Sequence, residues 1–122
     1  MHFQKKFKQA KILTCIKGEI FDVCVDMRFN SKKFSEVYCF YLKDIDSCSL
    51  YIPEGFAHGF LTTSKDSIVS YKVNNSYKPK HEVSLKWNDE FLKIPWPKND
   101  KIILSEKDRN ALKFKDIEPI YD

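Results

Sequence analysis

Apolar and polar residues alternate along most of the chain with a period of two, which is the period of a β-strand rather than of a helix. The clearest stretch runs from Glu19 to Arg28. It places Phe21, Val23, Val25 and Met27 on one face and Asp22, Cys24 and Asp26 on the other. We therefore expect a strand with one face in the hydrophobic core and one polar face.

Similar runs of β-branched and apolar residues predict further strands at Lys11 to Ile16, Val37 to Lys43, Ser49 to Ile52, His58 to Thr62, Ser67 to Asn74 and Val83 to Trp87. The dipeptide Lys17-Gly18 separates the first of these runs from the run that begins at Glu19, and it predicts a tight hairpin. Short strands at such regular spacing are typical of a sandwich or a jelly-roll barrel.

The end of the chain has a different pattern. The segment Ile94-Pro95-Trp96-Pro97 predicts an irregular loop, because neither proline can donate a hydrogen bond to a β-ladder. Ser105 precedes two acidic residues, Glu106 and Asp108, and predicts the N-cap of a short helix. The pattern as a whole predicts an all-β fold with a short C-terminal helix.

Length and composition predict one folded domain over residues 1–122. The chain has 122 residues, of which 43% are hydrophobic and 15% aromatic, so it can form a packed core. Its net charge is +4, the lysines are dispersed, and Arg28 and Arg109 are the only arginines. Nucleic-acid binders usually concentrate arginine and lysine on one face, so we expect no nucleic-acid partner; a lysine-rich nucleic-acid module is the weaker alternative.

No membrane span is expected. The longest apolar stretch, Val37 to Leu42, is much shorter than the roughly 20 residues that a spanning helix requires. Lysines interrupt the N-terminal residues, which therefore lack the apolar region of a secretory signal, and we expect a cytoplasmic protein.

The four cysteines give no sign of a metal or disulfide framework. Cys15, Cys24, Cys39 and Cys48 show no C-x-x-C spacing, and three of them lie in apolar runs. We expect buried, reduced thiols, with disulfides or metal ligands as the alternative.

The most informative short segment is IPEGFAHGF, residues 52–60. Pro53, Gly55 and His58 stand in a P-x-G-x-x-H pattern, which resembles the second half of the cupin signature. The first half would need an H-x-H pair to complete a metal site, and the nearest candidate is His2-Phe3-Gln4, which has one histidine. We expect no metal. Taken alone, the pattern favours a hairpin histidine with a local hydrogen bond for His58.

Several segments together resemble one family in order and spacing. They are HFQ at 2–4, QAK at 9–11, GEIFDVCVDMR at 18–28, YIPEGFAHGF at 51–60, SYK at 70–72, WND at 87–89 and LSEKD at 104–108. The pattern is similar to the dTDP-4-dehydrorhamnose 3,5-epimerase family. This resemblance implies a jelly-roll cupin that is usually dimeric and uses neither a metal nor another cofactor. The implied substrate is a nucleotide-linked 4-keto-6-deoxy sugar, on the route to L-rhamnose of bacterial surface polysaccharides.

Such a reaction has defined chemical needs. The ketone acidifies the C–H bonds at C3 and C5, so inversion needs a base, a cation near the enolate oxygen and an acid on the opposite face. The resemblance assigns the base to His2 with Asp108 as its partner, the cation to Lys11 and the acid to Tyr71. A helix-capping role for Asp108 and an ordinary exposed position for Lys11 are the alternatives.

The resemblance also implies residues that hold the nucleotide-sugar. They are Lys11, His58, Tyr77, Glu82 and Lys107. Packing in the core or an interface is the alternative for Tyr77, and surface charge is the alternative for Glu82 and Lys107.

The sequence departs from the family pattern in front of His2. The family carries a further segment there, including an R-G-L run, and Met1 stands where that leucine would be. We therefore expect either an N-terminally shortened relative or a start further upstream. In the chain as given, His2 would lie near a terminus, where order is usually poorest. The alternative function is a catalytically impaired protein that binds a sugar nucleotide or dimerises.

A homodimer is expected because a truncated barrel would leave strand edges to cover.

Overall fold

The computed structural model describes residues 1–121 and consists almost entirely of strands. They are β1 (His2–Gln4), β2 (Lys11–Lys17), β3 (Glu19–Asp26), β4 (Val37–Lys43), β5 (Ser49–Ile52), β6 (Phe56–Thr62), β7 (Ile68–Val73) and β8 (Glu82–Ser84). One helix, α1, spans Glu106–Arg109, and short 3-10 turns lie at Asp44–Asp46, Pro79–His81 and Phe114–Asp116. The predicted all-β class with a short C-terminal helix is confirmed.

The strands form two antiparallel sheets, as in a jelly roll. The larger sheet has the order β4-β3-β6-β1-β8, and the smaller has the order β5-β2-β7. The strands predicted at Val37 to Lys43 and Ser49 to Ile52 have the predicted bounds. The sequence pattern missed β1, because three residues are too few to show an alternation, and β8 is shorter than predicted.

The predicted hairpin at Lys17-Gly18 is wrong. Strand β2 pairs with β5 and β7, whereas β3 pairs with β4 and β6, so the chain crosses from one sheet to the other at this turn. Gly18 has a φ of 78°, and a Cβ there would lie 2.2 Å from the carbonyl oxygen of Asp66. The dipeptide therefore marks a turn correctly, but the turn does not join paired strands.

The expected division of β3 into a core face and a polar face is confirmed, but the polar face is buried as well. On one side, Ile20 packs with Leu13 and Cys15 of the smaller sheet. The opposite side forms the larger core with the C-terminal segment, and that core includes Phe21, Val23, Val25, Leu92, Ile117 and Ile120. The polar residues Asp22 and Asp26 are 0% exposed, so each requires a buried partner.

Asp26 finds its partners in the loop after β3. Its carboxylate accepts hydrogen bonds from Arg28 Nε at 2.9 Å, from Arg28 Nη2 at 2.7 Å and from Ser31 Oγ at 2.7 Å. Burial opposes the ionisation of Asp26, but these bonds outweigh it and hold its pKa below the usual value. The guanidinium of Arg28 also lies 4.9 Å from the ring centre of Phe56, which fixes the loop against β6.

The C-terminal segment follows the prediction. Residues 94–97 lack regular structure, and Trp96 pins them by donating from Nε1 to the carbonyl oxygen of Trp87 at 2.6 Å. Ser105 is the N-cap of α1, since its hydroxyl accepts from the amide of Asp108 at 3.2 Å. Within residues 1–121, no helix is long and apolar enough to cross a membrane.

All four cysteines are free thiols. Cys15 and Cys24 are buried as predicted, Cys39 is half-buried, and Cys48 is exposed. The prediction of buried thiols is therefore right for the two that lie inside the sandwich and wrong for Cys48, which follows a surface turn.

Candidate active site

A cavity of about 600 Å³ lies between the two sheets and the C-terminal segment. Of the eight predicted site residues, seven line it: His2, Lys11, His58, Tyr71, Tyr77, Glu82 and Asp108. The eighth, Lys107, contacts two of these seven. Residues that are far apart in the sequence thus share one cavity.

Strand register explains how the larger sheet contributes to this cavity. His2 lies opposite both Ser84 and His58, and His58 lies opposite Cys24. Residues directly opposite one another project from the same face of a sheet. Ser84, His2, His58 and Cys24 therefore form one row across four strands, on the face that looks into the sandwich.

His2 is held at both ring nitrogens. Its Nε2 lies 3.0 Å from Oδ1 of Asp108, and its Nδ1 lies 3.0 Å from Oγ of Ser84. We assign the ring proton to Nε2, facing the carboxylate, so that the basic lone pair is on Nδ1. Burial lowers the pKa of His2, although the charges of Asp108 and Glu82 oppose this. The imidazole is therefore neutral at neutral pH and can accept a proton.

Asp108 combines two roles that the sequence left open. Its Oδ2 accepts from Ser105 Oγ at 2.9 Å within the helix cap, while its Oδ1 lies 3.0 Å from both His2 Nε2 and the amino group of Met1. Burial opposes its ionisation, but these bonds hold its pKa below the usual value. Asp108 is thus a carboxylate that both caps α1 and orients His2.

The expectation that His2 would be poorly held is not what the structure shows. Strand β1 pairs with β6 on one edge and with β8 on the other, and the side chain of Met1 is buried in the larger core. The amide of Leu85 also donates to the carbonyl oxygen of Met1 at 2.7 Å. Backbone hydrogen bonds on both edges fix the position of the histidine.

Lys11 and Tyr71 reach the cavity from the smaller sheet. Lys11 is half-buried, so the alternative of an ordinary exposed lysine is wrong. Burial lowers its pKa, and the negative charges around it oppose this shift. Tyr71 is 60% exposed, and its phenol can therefore exchange protons with solvent. The smaller sheet supplies a partly dehydrated cation and an accessible weak acid.

His58 belongs to a buried pair. Its Nε2 lies 2.7 Å from Oδ2 of Asp22, which is 36 residues away, so the alternative of a local hairpin contact is wrong. The other oxygen of Asp22 accepts from Sγ of Cys24 at 3.6 Å. Burial, and then the charge of Asp22, raise the pKa of Cys24, which keeps the thiol protonated. Asp22 lies on the face of β3 that the alternation predicts to be polar, but its burial is a property of the fold.

Tyr77, Glu82 and Lys107 bind one another at the rim of the cavity. Oε2 of Glu82 accepts from Lys107 Nζ at 2.6 Å and from the hydroxyl of Tyr77 at 3.0 Å, and Lys107 Nζ also lies 2.8 Å from that hydroxyl. Burial opposes the ionisation of Glu82, but the two donors hold its pKa below the usual value; the same bonds raise the pKa of Lys107. These charges form a defined cluster and are not isolated surface groups.

The remaining wall of the cavity is apolar. It includes Phe60, Trp87, Trp96, Ile102 and Leu104. A cavity with convergent polar groups on some sides and apolar groups on another suits a ligand that has both characters. Among residues 1–121 there is no group of three or more His, Cys, Asp or Glu side chains that could hold a metal ion.

Sequence reasoning missed three side chains that support this site. Ser84 contacts the base nitrogen of His2, Asp22 holds His58, and Gln4 ties two loops of the cavity together. Gln4 stands in the HFQ segment, but the resemblance gives it no role. Nothing in the local sequence around Ser84 distinguishes it from other strand serines.

Comparison with known proteins identifies close relatives. The family model described as dTDP-4-dehydrorhamnose 3,5-epimerase matches residues 1–116. A protein of that name from Methanothermobacter thermautotrophicus is 42% identical over 99% of this chain. The crystal structure of the enzyme of that name from Elizabethkingia anophelis superposes with a TM-score of 0.91 at 44% identity over 94% of this chain.

A third match is the crystal structure of dTDP-6-deoxy-D-glucose-3,5-epimerase from Legionella pneumophila in complex with dTDP-4-keto-L-rhamnose. It superposes with a TM-score of 0.93 at 35% identity over 96% of this chain. This chain spans 66% of the length of the archaeal relative and 64% and 62% of the two crystallised chains.

Proposed function

The chain belongs to the dTDP-4-dehydrorhamnose 3,5-epimerase family, and we propose that it inverts C3 and C5 of a nucleotide-linked 4-keto-6-deoxy sugar. The proposed class of substrate is supported by the Legionella relative, whose structure contains dTDP-4-keto-L-rhamnose. The product would serve the synthesis of rhamnose for surface polysaccharides.

One observation carries the proposal: His2 and Tyr71 line the same cavity from opposite sheets. Epimerisation removes a proton from one face of a carbon and returns a proton to the other face. A base and an acid on opposite walls provide this arrangement. Lys11, on the same sheet as Tyr71, supplies positive charge to the cavity.

The proton balance of the proposed reaction is simple. When the substrate displaces the hydroxyl of Ser84 from Nδ1 of His2, this nitrogen takes the proton from the carbon next to the ketone, and the C–H electrons form the enolate. Lys11 stabilises the negative oxygen, and the phenol of Tyr71 then protonates the carbon from the opposite side. The tyrosinate regains a proton from solvent, which its exposure allows, and the protonated His2 then releases its proton to solvent, so both side chains return to their starting states. Asp108 stays ionised and stabilises the protonated imidazole.

The test is solvent deuterium exchange at C3 and C5 of dTDP-4-keto-6-deoxyglucose, followed by NMR. We expect incorporation at both carbons by the wild-type chain and none by the His2→Ala variant. Absence of exchange by the wild-type chain would refute the proposed function. Equal exchange by the wild-type chain and the variant would refute the role of His2.

A second copy of the chain is the proposed partner. The outer face of the smaller sheet exposes Ile12, Ile16 and Tyr51, and Ile12 lies directly opposite Tyr51. Burial of this apolar face would stabilise a homodimer. Light scattering after size exclusion measures the mass and separates a dimer from a monomer of 14.5 kDa.

The free thiols fit a reducing compartment, and we propose the cytoplasm.

A further inference from the structure

Gln4 is a buried polar residue that the proposed reaction does not use. It is 5% exposed and lies in β1, two residues after His2. Its amide nitrogen donates to the carbonyl oxygen of Phe7 at 2.7 Å and to that of Ser76 at 3.4 Å. Its amide oxygen accepts from the backbone amide of Lys78 at 2.6 Å. The side chain thus contacts two loops that border the cavity.

Two of these bonds fall on either side of Tyr77. The carbonyl of Ser76 and the amide of Lys78 belong to the residues immediately before and after Tyr77, so one side-chain amide holds the backbone on both sides of this tyrosine. The hydroxyl of Tyr77 in turn contacts Glu82 and Lys107 at the rim of the cavity. A residue of the strand that carries His2 thus bonds to the backbone from which Tyr77 projects.

The third bond, from Gln4 to the carbonyl oxygen of Phe7, holds the turn between β1 and β2, which carry His2 and Lys11. Phe7 has a φ of 54°, in the left-handed region that non-glycine residues rarely occupy. The bond from Gln4 to the carbonyl of Phe7 stabilises this conformation. A side chain without a donor would leave the carbonyl of Phe7 without this bond, and one without an acceptor would leave the amide of Lys78 without it.

Other side-chain amides extend the same connection between the two loops. Gln9 Nε2 donates to the carbonyl oxygen of Asn75 at 2.8 Å, and Asn75 Nδ2 donates to that of Lys8 at 3.1 Å. Oδ1 of Asn74 accepts from the amide of Ala10 at 2.9 Å. The first loop joins β1 to β2, and the second joins β7 to β8. Gln4 is the buried member of this set, and it is the one that bonds to the residues on both sides of Tyr77.

We propose that Gln4 is a positioning residue that fixes Tyr77 relative to His2 through the peptide groups on both sides of the tyrosine. The consequence for catalysis rests on the proposed function, but the positioning itself does not. Gln4→Met keeps the length of the side chain and removes its donor and its acceptor. Gln4→Glu keeps an acceptor for the amide of Lys78.

The primary test is the ring resonance of Tyr77 in NMR spectra of the full chain, assigned by its loss in Tyr77→Phe. We expect both Gln4→Met and Gln4→Glu to shift this resonance, because each loses the donor that reaches the carbonyls of Phe7 and Ser76. The control is Ser31→Ala, which removes a hydroxyl bonded to the buried Asp26 outside the cavity and leaves the Tyr77 resonance unchanged. An unchanged resonance in Gln4→Met, or an equal shift in Ser31→Ala, would overturn the proposal.

A second measurement uses the wild-type chain alone and therefore tests the proposal even if the Gln4 variants do not fold. In the wild-type chain the amide proton of Lys78 should exchange slowly with solvent, because Gln4 accepts its hydrogen bond. Fast exchange in the wild-type chain would overturn the proposal without any variant.

Measurement of kcat and of deuterium exchange distinguishes the role of Gln4 from the proposed epimerase function. Misplacement of a group at a reacting centre can lower the rate by about 10²-fold, so we expect a decrease of up to this size in kcat for Gln4→Met and none for Ser31→Ala. If the wild-type chain shows no deuterium exchange, the proposed function is wrong, and the Tyr77 resonance still decides the role of Gln4.

Discussion

His2 and His58 are direct cross-strand partners in β1 and β6, and each contacts a different aspartate. The imidazole of His2 lies 3.0 Å from Asp108 of α1, whereas that of His58 lies 2.7 Å from the fully buried Asp22 of β3. The first pair is half-exposed at the cavity and the second is closed off from solvent. The two pairs are therefore suited to different roles. The accessible imidazole of His2 can transfer a proton, whereas the buried pair holds His58 in one orientation in the cavity wall.

The first prediction concerns the effect of Asp108 on the pKa of His2. The carboxylate raises this pKa and partly offsets the effect of burial. Asp108→Asn should therefore lower the pKa of His2 further, as measured by NMR titration of the imidazole. The rate of deuterium exchange should fall by up to about 10⁴-fold, because His2 loses the carboxylate that orients it and stabilises its protonated form. An unchanged imidazole titration would show that the contact is too weak to matter.

The second prediction is the pH dependence of activity and stability. Because burial lowers the pKa of His2 from 6.5, the acid limb of the rate profile should have its midpoint below pH 6.5. The same shift affects folding: His2 binds a proton more readily in the unfolded chain, so its contribution to stability is present above pH 6.5 and is lost as the pH falls through the lowered folded pKa. His2→Gln should lack this step in urea denaturation curves measured at several pH values.

The third prediction separates proton removal from proton return. Tyr71→Phe removes the phenol hydroxyl but leaves His2 in place, so solvent exchange into the substrate should outlast net inversion. His2→Ala should abolish both. Proton NMR of the sugar measures exchange and configuration in the same sample. Equal, mild effects of the two substitutions would mean that both residues are structural.

The fourth prediction rests on the close approach of β6 to the start of β1. A Cβ at Gly59 would lie 2.8 Å from Cγ and 3.2 Å from Cα of Met1, so Gly59→Ala should displace β1 and, with it, His2. Small misplacements of a catalytic group can cost about 10²-fold in rate, which deuterium exchange would detect. Gly55→Ala is the control. Its φ of 83° and a 2.5 Å contact with Arg28 should lower the Tm without moving β1.

The fifth prediction concerns stability outside the cavity. Arg28→Ala leaves the carboxylate of Asp26, which is 0% exposed, without its charged partner. Removal of one partner of a buried pair typically costs about 3–5 kcal/mol, measured as the free energy of unfolding in urea. Lys33→Ala, which removes an exposed pair with Glu36, should have little effect. A small effect of Arg28→Ala would show that water replaces the guanidinium.

The sequence predicts strands well where alternation extends over several residues, as in β4 and β5. The resemblance to a known family also predicts which residues share the site, because the matched segments carry them. The sequence pattern does not predict which strands pair: β2 and β3 are neighbours in the sequence but lie in different sheets. Nor does it show that Asp22 is buried, because alternation is the same whether a polar face meets water or the inside of a sandwich.

Side chains that support the site through tertiary contacts cannot be predicted from the sequence, for a related reason. Ser84 and Gln4 acquire their contacts from register and from loop conformation, which are tertiary properties. A serine in a strand or a glutamine after a histidine has no distinctive local pattern. Their roles emerge only when the distances are known.

The pairing of His2 with Asp108 also has a consequence for the order of events during folding. The two residues are separated by almost the whole chain, and closing so long a loop carries a large entropic cost. Contacts of this kind form late, after the strands between them have assembled. During refolding, catalytic competence should therefore appear after most of the β-structure, and during synthesis a nascent chain cannot complete this pair until α1 has left the ribosome.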